Sequence, residues 1–271
     1  MNILEQIIAD KQKEVAERKE LYPTKLLEKS LYFGTPCMSL EHYLLRPDKT
    51  GIIAEIKRKS PSKGDINPYV SVERTSIGYM QAGASALSIL TDTKYFGGKN
   101  EDLVIGRKFN YCPILRKDFM VDEYQVVEAK SIGADAILLI AAALPAKRIQ
   151  ELAAFARTFG LEVLLEVHSL EELQESLCEG ITVVGVNNRN LKTFQTDVAL
   201  SYELSRHIPS GMTKISESGL RNPQTLVELK EAGYNGFLIG ESFMTNSRPE
   251  RAAAAFMKEF RVLQEKKAAL V

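Results

Sequence analysis

GADAILLI, residues Gly133–Ile140, joins a helix stop to a buried strand. Glycine enters the left-handed region that ends helices without steric cost. Five consecutive apolar residues then follow, Ala136–Ile140. A strand with no polar face is covered on both sides, as in parallel sheets flanked by helices. The same device recurs as GASALSIL over Gly83–Leu90 and GYNGFLIG over Gly233–Gly240.

Working outward, candidate strands are Ile52–Ile56, Ala86–Leu90, Pro113–Leu115, Ala136–Ile140, Glu162–Val167, Thr182–Val186, Lys214–Ser216 and Gly236–Ile239. Their starts recur every 20 to 35 residues, room for one crossover helix each time. Helix signals fill the gaps. Asp122 is a cap for a helix ending before Gly133, Pro145 suits a first turn, and Gly160 stops that helix. Ser169 and Glu172 have capping-box spacing, and Asn222-Pro223 is a cap followed by a first-turn proline, with Gly233 closing that helix. The alternative to a closed barrel is a doubly wound open sheet, which usually carries a glycine fingerprint after its first strand. Here the first strand runs into KRKSPSKGD, Lys57–Asp65, with no such pattern. The expectation is therefore an α/β protein, a (β/α)8 TIM barrel with an N-terminal helical extension. It forms a single domain over 1–271, with 1–45 the extension and 46–271 the barrel. The length of 271 residues fits such a barrel, typically about 250 residues.

Composition removes whole function classes. Lys+Arg and Asp+Glu both total 35, so no basic footprint for nucleic acid or anionic membrane exists. Cys37, Cys112 and Cys178 are odd in number and far apart, which argues against a disulfide framework or zinc cluster and for a cytoplasmic location. His42, His168 and His207 form no metal-ligand spacing, so neither metal nor cofactor is expected. The N-terminal MNILEQIIADKQKEVAERKE reads as an amphipathic helix, not a signal peptide, and no apolar run approaches the ~20 residues of a membrane span.

In a strand, residues two apart share a face, and in this fold the active site lies at the strands' carboxyl ends. Glu55 and Lys57 share a face at the end of IIAEIK, while Ala54 and Ile56 face the helices. Lys117 follows Leu115 in ILRK; Arg116 and Asp118 face elsewhere as a structural pair. Glu166 follows Leu164, Asn187 follows Gly185, and Glu217 follows Ile215, with Arg189 just beyond on a loop. Stability alone explains such residues one at a time, as ion pairs or solvated charges. Their joint placement is harder to explain that way, because ionised groups in a partly dry mouth must be paired or shifted in pKa. A second constellation suits an anion. Gly219 and Gly240 follow the seventh and eighth strands, the common phosphate loops of this fold, and a short helix after Gly240 would aim its N-terminus there. Ser60, Lys63 and Gly64 on the first loop would cover the same anion.

The motifs IIAEIKRKSPSKG, TDTKYFGG, ILRKDF, LLEVH, GVNNRNLKTF, SESG and LIGESFM, spread over nearly the whole chain, resemble those of the indole-3-glycerol phosphate synthases. The resemblance implies ring closure of 1-(2-carboxyphenylamino)-1-deoxyribulose 5-phosphate to indole-3-glycerol phosphate, carbon dioxide and water, in tryptophan biosynthesis. It implies that Lys117 is the general acid, that Lys57 holds the substrate carboxylate, and that Glu166 stabilises the cationic intermediate and takes up a proton. The division of acid duty between the lysines stays open. Glu55 and Glu217 match partners that orient the lysines. Asn187, Arg189 and Ser218 match substrate-positioning residues, and Phe96, Phe119 and Leu138 match an apolar wall for the anthranilate ring. Ser60, Gly219, Gly240 and Glu241 fall at the phosphate; the Glu241 side chain is expected to point away, leaving its backbone N–H to the anion. The partner is a phosphorylated small molecule, with docking to other enzymes of the pathway also open. A ketose-phosphate isomerase would share the phosphate glycines without needing two interior lysines beside an apolar wall. An inactive barrel scaffold would have lost the charged strand ends.

Overall fold

The structure, a computed structural model, describes residues 2–269, so residues 1, 270 and 271 of the expected unit lie outside the described residues. Eight strands close into a barrel: β1 Ile52–Ile56, β2 Ala86–Leu90, β3 Ile114–Lys117, β4 Ala136–Ile140, β5 Glu162–Val167, β6 Val183–Asn187, β7 Thr213–Glu217 and β8 Gly236–Ile239. Every neighbouring pair is parallel, and β1 pairs with both β2 and β8. The helices are α1 Ile3–Leu21, α2 Thr24–Leu27, α3 Leu40–Leu45, α4 Val72–Ala82, α5 Asn100–Phe109, α6 Glu123–Ser131, α7 Ala146–Thr158, α8 Leu170–Ser176, α9 Ala199–Leu204, α10 Pro223–Glu231, α11 Glu241–Met244 and α12 Pro249–Ala268. Among the described residues no helix is long and apolar enough to cross a membrane.

Three strands end later than the apolar pattern predicts. β3 reaches Lys117, β6 Asn187 and β7 Glu217, where the apolar runs stop at Leu115, Val186 and Ser216. Backbone pairing explains the difference: Leu90 pairs with Lys117, and Asn187 with Glu217, so the ladder continues beneath polar side chains. The caps follow the sequence signals. Asp122 and Gln125 form a full capping box on α6, and Asn222 caps α10 with Pro223 in its first turn. On α8 only half the box forms, because the Glu172 carboxylate accepts from His168 N instead of Ser169 N.

Two apolar shells divide along strand phase. Ile53, Leu115, Leu138, Leu164, Ile215 and Leu238 fill the barrel interior, while Ile52, Ala54 and Ile56 pack outward against the helices. Burying each large apolar side chain contributes roughly 1.5–3 kcal/mol. The extension seals both ends. Leu40 and Leu44 of α3 join the interior cluster, with Leu44 Cδ2 2.8 Å from where a Cβ on Gly236, the first residue of β8, would stand. At the carboxyl end Ile3, Leu4 and Ile7 of α1 lean over the barrel mouth. Lys11, also on α1, is 2% exposed and lies 3.0 Å from Asp92 and 3.1 Å from Asp118.

Candidate active site

Each functional side chain stands one strand step above an interior apolar residue or glycine: Glu55 above Ile53, Lys117 above Leu115, Glu166 above Leu164, Asn187 above Gly185, Glu217 above Ile215. The phase relation read from the sequence is thus observed, and all these residues, with Lys57, line one cavity of about 160 Å³. Lys117 Nζ donates to Glu166 Oε2 at 2.7 Å and to Glu217 Oε2 at 2.9 Å. Lys57 Nζ donates to Glu55 Oε1 at 2.7 Å, and Ser88 Oγ donates to Glu55 Oε2 at 3.4 Å. Asn187 Nδ2 donates to Glu166 Oε1 at 3.0 Å, and Asn187 Oδ1 accepts from Arg189 N at 3.0 Å. Arg116 turns outward to Asp118 and Glu128, the structural pairing expected of it.

Packing so many charges requires room and balance. A Cβ on Gly185 would stand 2.2 Å from Glu217 Oε1, and one on Gly240 2.5 Å from Glu55 Oε1. These glycines make space for carboxylates. Burial depresses the pKa of Lys117, but Glu166, Glu217 and Glu55 outweigh it and hold the ammonium well above an ordinary lysine. Burial pushes both carboxyls up. At Glu166 the charges of Lys117 and His168, with the hydrogen bonds from Lys117 and Asn187, reverse this and hold it below the usual range. At Glu217 burial, with the repulsion of Glu166 and Glu55, prevails over Lys117 and the pKa is raised. One ammonium therefore sits between two carboxyls whose pKa values are displaced in opposite directions.

One wall of the cavity is apolar. Phe96 and Phe119 lie with ring centroids 5.9 Å apart and planes inclined by 40°, and Leu138 lines the cavity with them. Leu191, Phe194 and the α1 residues Ile3, Leu4 and Ile7 complete the wall. Against it opens a smaller cavity of about 60 Å³, lined by Lys57, Arg189, Ser218, Gly219, Gly240 and Glu241 among others. Ser218 and Gly219 both have positive φ, 67° and 76°. For Ser218 that conformation is strained, a cost that concentrates at functional loops. Ser60 is buried on the wall of the larger cavity and not the smaller one. Lys63 on the first loop lies 3.7 Å from Glu241.

The Glu241 side chain departs from expectation: it does not point away. Its carboxylate lies 3.1 Å from Arg189, 3.2 Å from Arg221 and 3.7 Å from Lys63, and it lines both cavities. Three cations converge there, and a half-buried carboxylate is stable only among such partners. The sequence reading also missed His168, whose Nε2 is 3.5 Å from Glu166 Oε1. Its position two residues after Glu166, just past the end of β5, was the available signal. The α1 contribution had none, since a helix before the barrel gives no hint of which end it covers.

A family model described as indole-3-glycerol phosphate synthase matches residues 4–256. The chain is 46% identical over 257 residues to an indole-3-glycerol phosphate synthase of Bacteroides thetaiotaomicron, covering 95% of this chain and 98% of that protein. It is 43% identical over 263 residues to one of Magnetococcus marinus, with 95% and 98% covered. Among solved structures, thiamine phosphate pyrophosphorylase from Pyrococcus furiosus superimposes with a TM-score of 0.59 at 15% identity, over 82% of this chain and 99% of that one. That likeness is one of fold alone.

Proposed function

The chain belongs to the indole-3-glycerol phosphate synthase family, and from that premise we propose how its residues divide the ring closure. The reaction is the decarboxylating, dehydrating closure of a carboxyphenylamino-deoxyribulose phosphate, a carbon–carbon lyase step of tryptophan biosynthesis. The observation that carries the assignment is the Lys117 ammonium held at 2.7 Å and 2.9 Å by two carboxylates beside an apolar wall.

In this reading Lys117 protonates the ketose carbonyl as the aromatic carbon attacks. A charge-held ammonium is a donor already oriented when the oxyanion develops, so no reorganisation is needed. Phe96, Phe119 and Leu138 hold the aromatic ring, and Lys57, tethered to Glu55, holds its carboxylate until carbon dioxide leaves. Glu166 faces the iminium cation that follows and takes the ring-methylene proton to complete the indole. Its depressed pKa keeps it anionic for that task. Glu217 and Glu55 set the charge and direction of the lysines, and Asn187 fixes Glu166. The smaller cavity takes the phosphate, with Ser218, Gly219, Gly240, the Glu241 backbone and Arg189 around it and Ser60 on the covering loop. For the anion to enter, the Glu241 carboxylate yields Arg189 and Lys63 to it.

We read residues 1–45 and the barrel 46–271 as one folding unit, supported by the buried Lys11 bridge and by Asp135 accepting from Met38 N at 2.8 Å. The cytoplasm is the proposed compartment, supported by three cysteines that remain free thiols. Docking onto other enzymes of the pathway belongs to the same proposal; the exposed Leu21, Leu26 and Leu31 of the extension offer a surface for it.

The decisive experiment uses the absence of tryptophan from the chain. Substrate turnover creates an indole fluorophore against a tyrosine background. Lys117→Ala is expected to lower kcat by roughly 100-fold or more while substrate still binds. Near-normal turnover in that variant would remove Lys117 from the acid role.

A further inference from the structure

The proton count of this reaction leaves one proton unaccounted for inside the cavity. The ketose oxygen gains a proton when the ring carbon attacks, and the resulting hydroxyl gains another as it leaves as water. Loss of carbon dioxide from the ionised carboxylate moves no proton. Forming the indole double bond releases one proton from the methylene carbon, which Glu166 takes. Glu166 can hand it back to Lys117, 2.7 Å away. Two protons are spent and one is recovered, so each turnover draws one proton from solvent into a cavity roofed by α1.

His168 stands where such a proton would pass. It is the first residue past β5, two after Glu166, and its side chain is 11% exposed. Nε2 is buried, has no hydrogen-bond partner among the described residues, and lies 3.5 Å from Glu166 Oε1. Nδ1 lies 3.3 Å from Glu172 Oε2, the oxygen that also accepts from His168 N at 2.7 Å. The carboxylate of α8 thus fixes the ring and selects the tautomer with its proton on Nδ1. His168 does not line the main cavity; with Glu172 it lines an adjoining outer one of about 580 Å³, which shares Leu4, Arg189 and Leu191 with the main cavity.

We propose that His168 is a proton-transfer and positioning residue of the ring closure, acting through Glu166 and supplied from the outer cavity. The Nε2–H bond of the imidazolium breaks as an O–H bond forms on Glu166, leaving the neutral Nδ1–H ring on Glu172. Glu166 passes the proton to Lys117, and the ring regains one from solvent. The groups that set its charge are Glu166 on β5, Glu172 on α8 and Glu217 on β7; Arg189 and Lys192 on the loop after β6 share the outer cavity. Burial lowers the imidazole pKa, but the Glu172 hydrogen bond and the charges of Glu166, Glu172 and Glu217 more than offset it, leaving it raised. The surrounding carboxylates therefore favour the donor form more than water does a free imidazole.

The inference rests on Glu166 as the proton-carrying carboxylate. The test measures kcat and KM from weakly acidic to alkaline pH for wild type, His168→Asn and Glu172→Gln, with folding checked by circular dichroism. In wild type, kcat falls on the alkaline side as the imidazolium is lost. His168→Asn is expected to lower kcat at least roughly tenfold, less than removal of a direct general acid. KM should hold, that limb should vanish, and added imidazole should restore part of the rate. Glu172→Gln removes a carboxylate that favours the imidazolium, so the limb moves to lower pH. If His168→Asn keeps the wild-type limb, or if kcat and KM change together with no pH dependence and no rescue, the relay is overturned. Should His168→Asn not fold, an unmoved limb in Glu172→Gln overturns it equally. A Glu166→Gln variant separates the two readings. If it is inactive while His168→Asn is normal, only the relay fails; if it turns over normally, the role given to Glu166 fails.

Discussion

Replacing Lys11 by methionine asks whether the extension is part of the catalytic machine. Methionine keeps much of the stem and removes the charge, leaving Asp92 and Asp118, 1% and 3% exposed, without the ammonium at 3.0 Å and 3.1 Å. Removing one partner of a buried ion pair costs about 3–5 kcal/mol. Here the low end applies, because both aspartates keep other donors. Asp118 retains Arg116 and the Thr91 hydroxyl, and Asp92 accepts from the backbone of Tyr95 and Phe96. Urea unfolding followed by circular dichroism should show a loss of about 3 kcal/mol, some 6–12 °C in melting temperature. Turnover should fall as well, since Asp118 adjoins Lys117 and Asp92 holds the backbone that presents Phe96. The pH dependence supplies a control. Burial raises the Asp118 pKa, but Lys11, Arg116 and the Thr91 hydrogen bond outweigh it, and the carboxyl is held low. Its stabilising contribution is present above the unfolded value of about 3.9 and is lost as pH falls through the folded value. The gap between wild type and variant should therefore narrow in acid. A loss under about 1 kcal/mol, or a gap that stays constant into acid, would refute the argument.

Gly240→Ala tests the space reserved for Glu55. The glycine has φ −127° and ψ −62°, outside the helical and extended regions, so the expected fall in kcat combines a backbone cost with a Cβ placed 2.5 Å from Glu55 Oε1. Activity within twofold of wild type would show that Glu55 moves at no cost. For Glu217 the sign of the pH effect is the test. A carboxyl whose folded pKa is raised binds more protons folded than unfolded, so its contribution is lost as pH rises from about 4.3 towards the folded value, by roughly 1.4 kcal/mol per pKa unit. Glu217→Gln should abolish that decline, and stability curves at several pH values that run parallel for the two proteins would contradict the assignment.

The fold was legible because one rule repeats: a glycine stop, a small residue, a fully apolar strand. The site was legible because strand phase continues past the apolar run, so Leu115 predicts where Lys117 points and Ile215 predicts Glu217. What escaped was decided by contacts distant in sequence. Nothing in ILEQII says that Ile3, Leu4 and Ile7 cover the carboxyl end of the barrel and not the outer helices. The orientation of Glu241 depended on Arg189 and Arg221, brought together only when the loops after β6 and β7 converge. His168 was visible by phase but reads as an ordinary strand-end residue until Glu172 is seen to hold its ring.

The chemistry turns on how the barrel makes two like residues unlike. Glu166 and Glu217 both touch Lys117 with one oxygen, at nearly equal distances. Their other oxygens differ. Glu166 Oε1 accepts from Asn187 and faces His168, whereas Glu217 Oε1 is buried with no hydrogen-bond partner among the described residues. Hydrogen bonds and positive charge favour an anion, and burial without donors favours the neutral acid. The pKa values therefore part in opposite directions around one ammonium. Environments that separate like groups assign acid and base roles. The separation here rests on the Asn187 amide and the His168 ring, which face the free oxygen of Glu166 and not that of Glu217. A barrel whose core needs only apolar layers would gain stability by replacing the whole group with leucines, as buried ion pairs often allow. Keeping three carboxylates and two ammoniums above that core makes sense where protons must be given, taken and returned within one cavity.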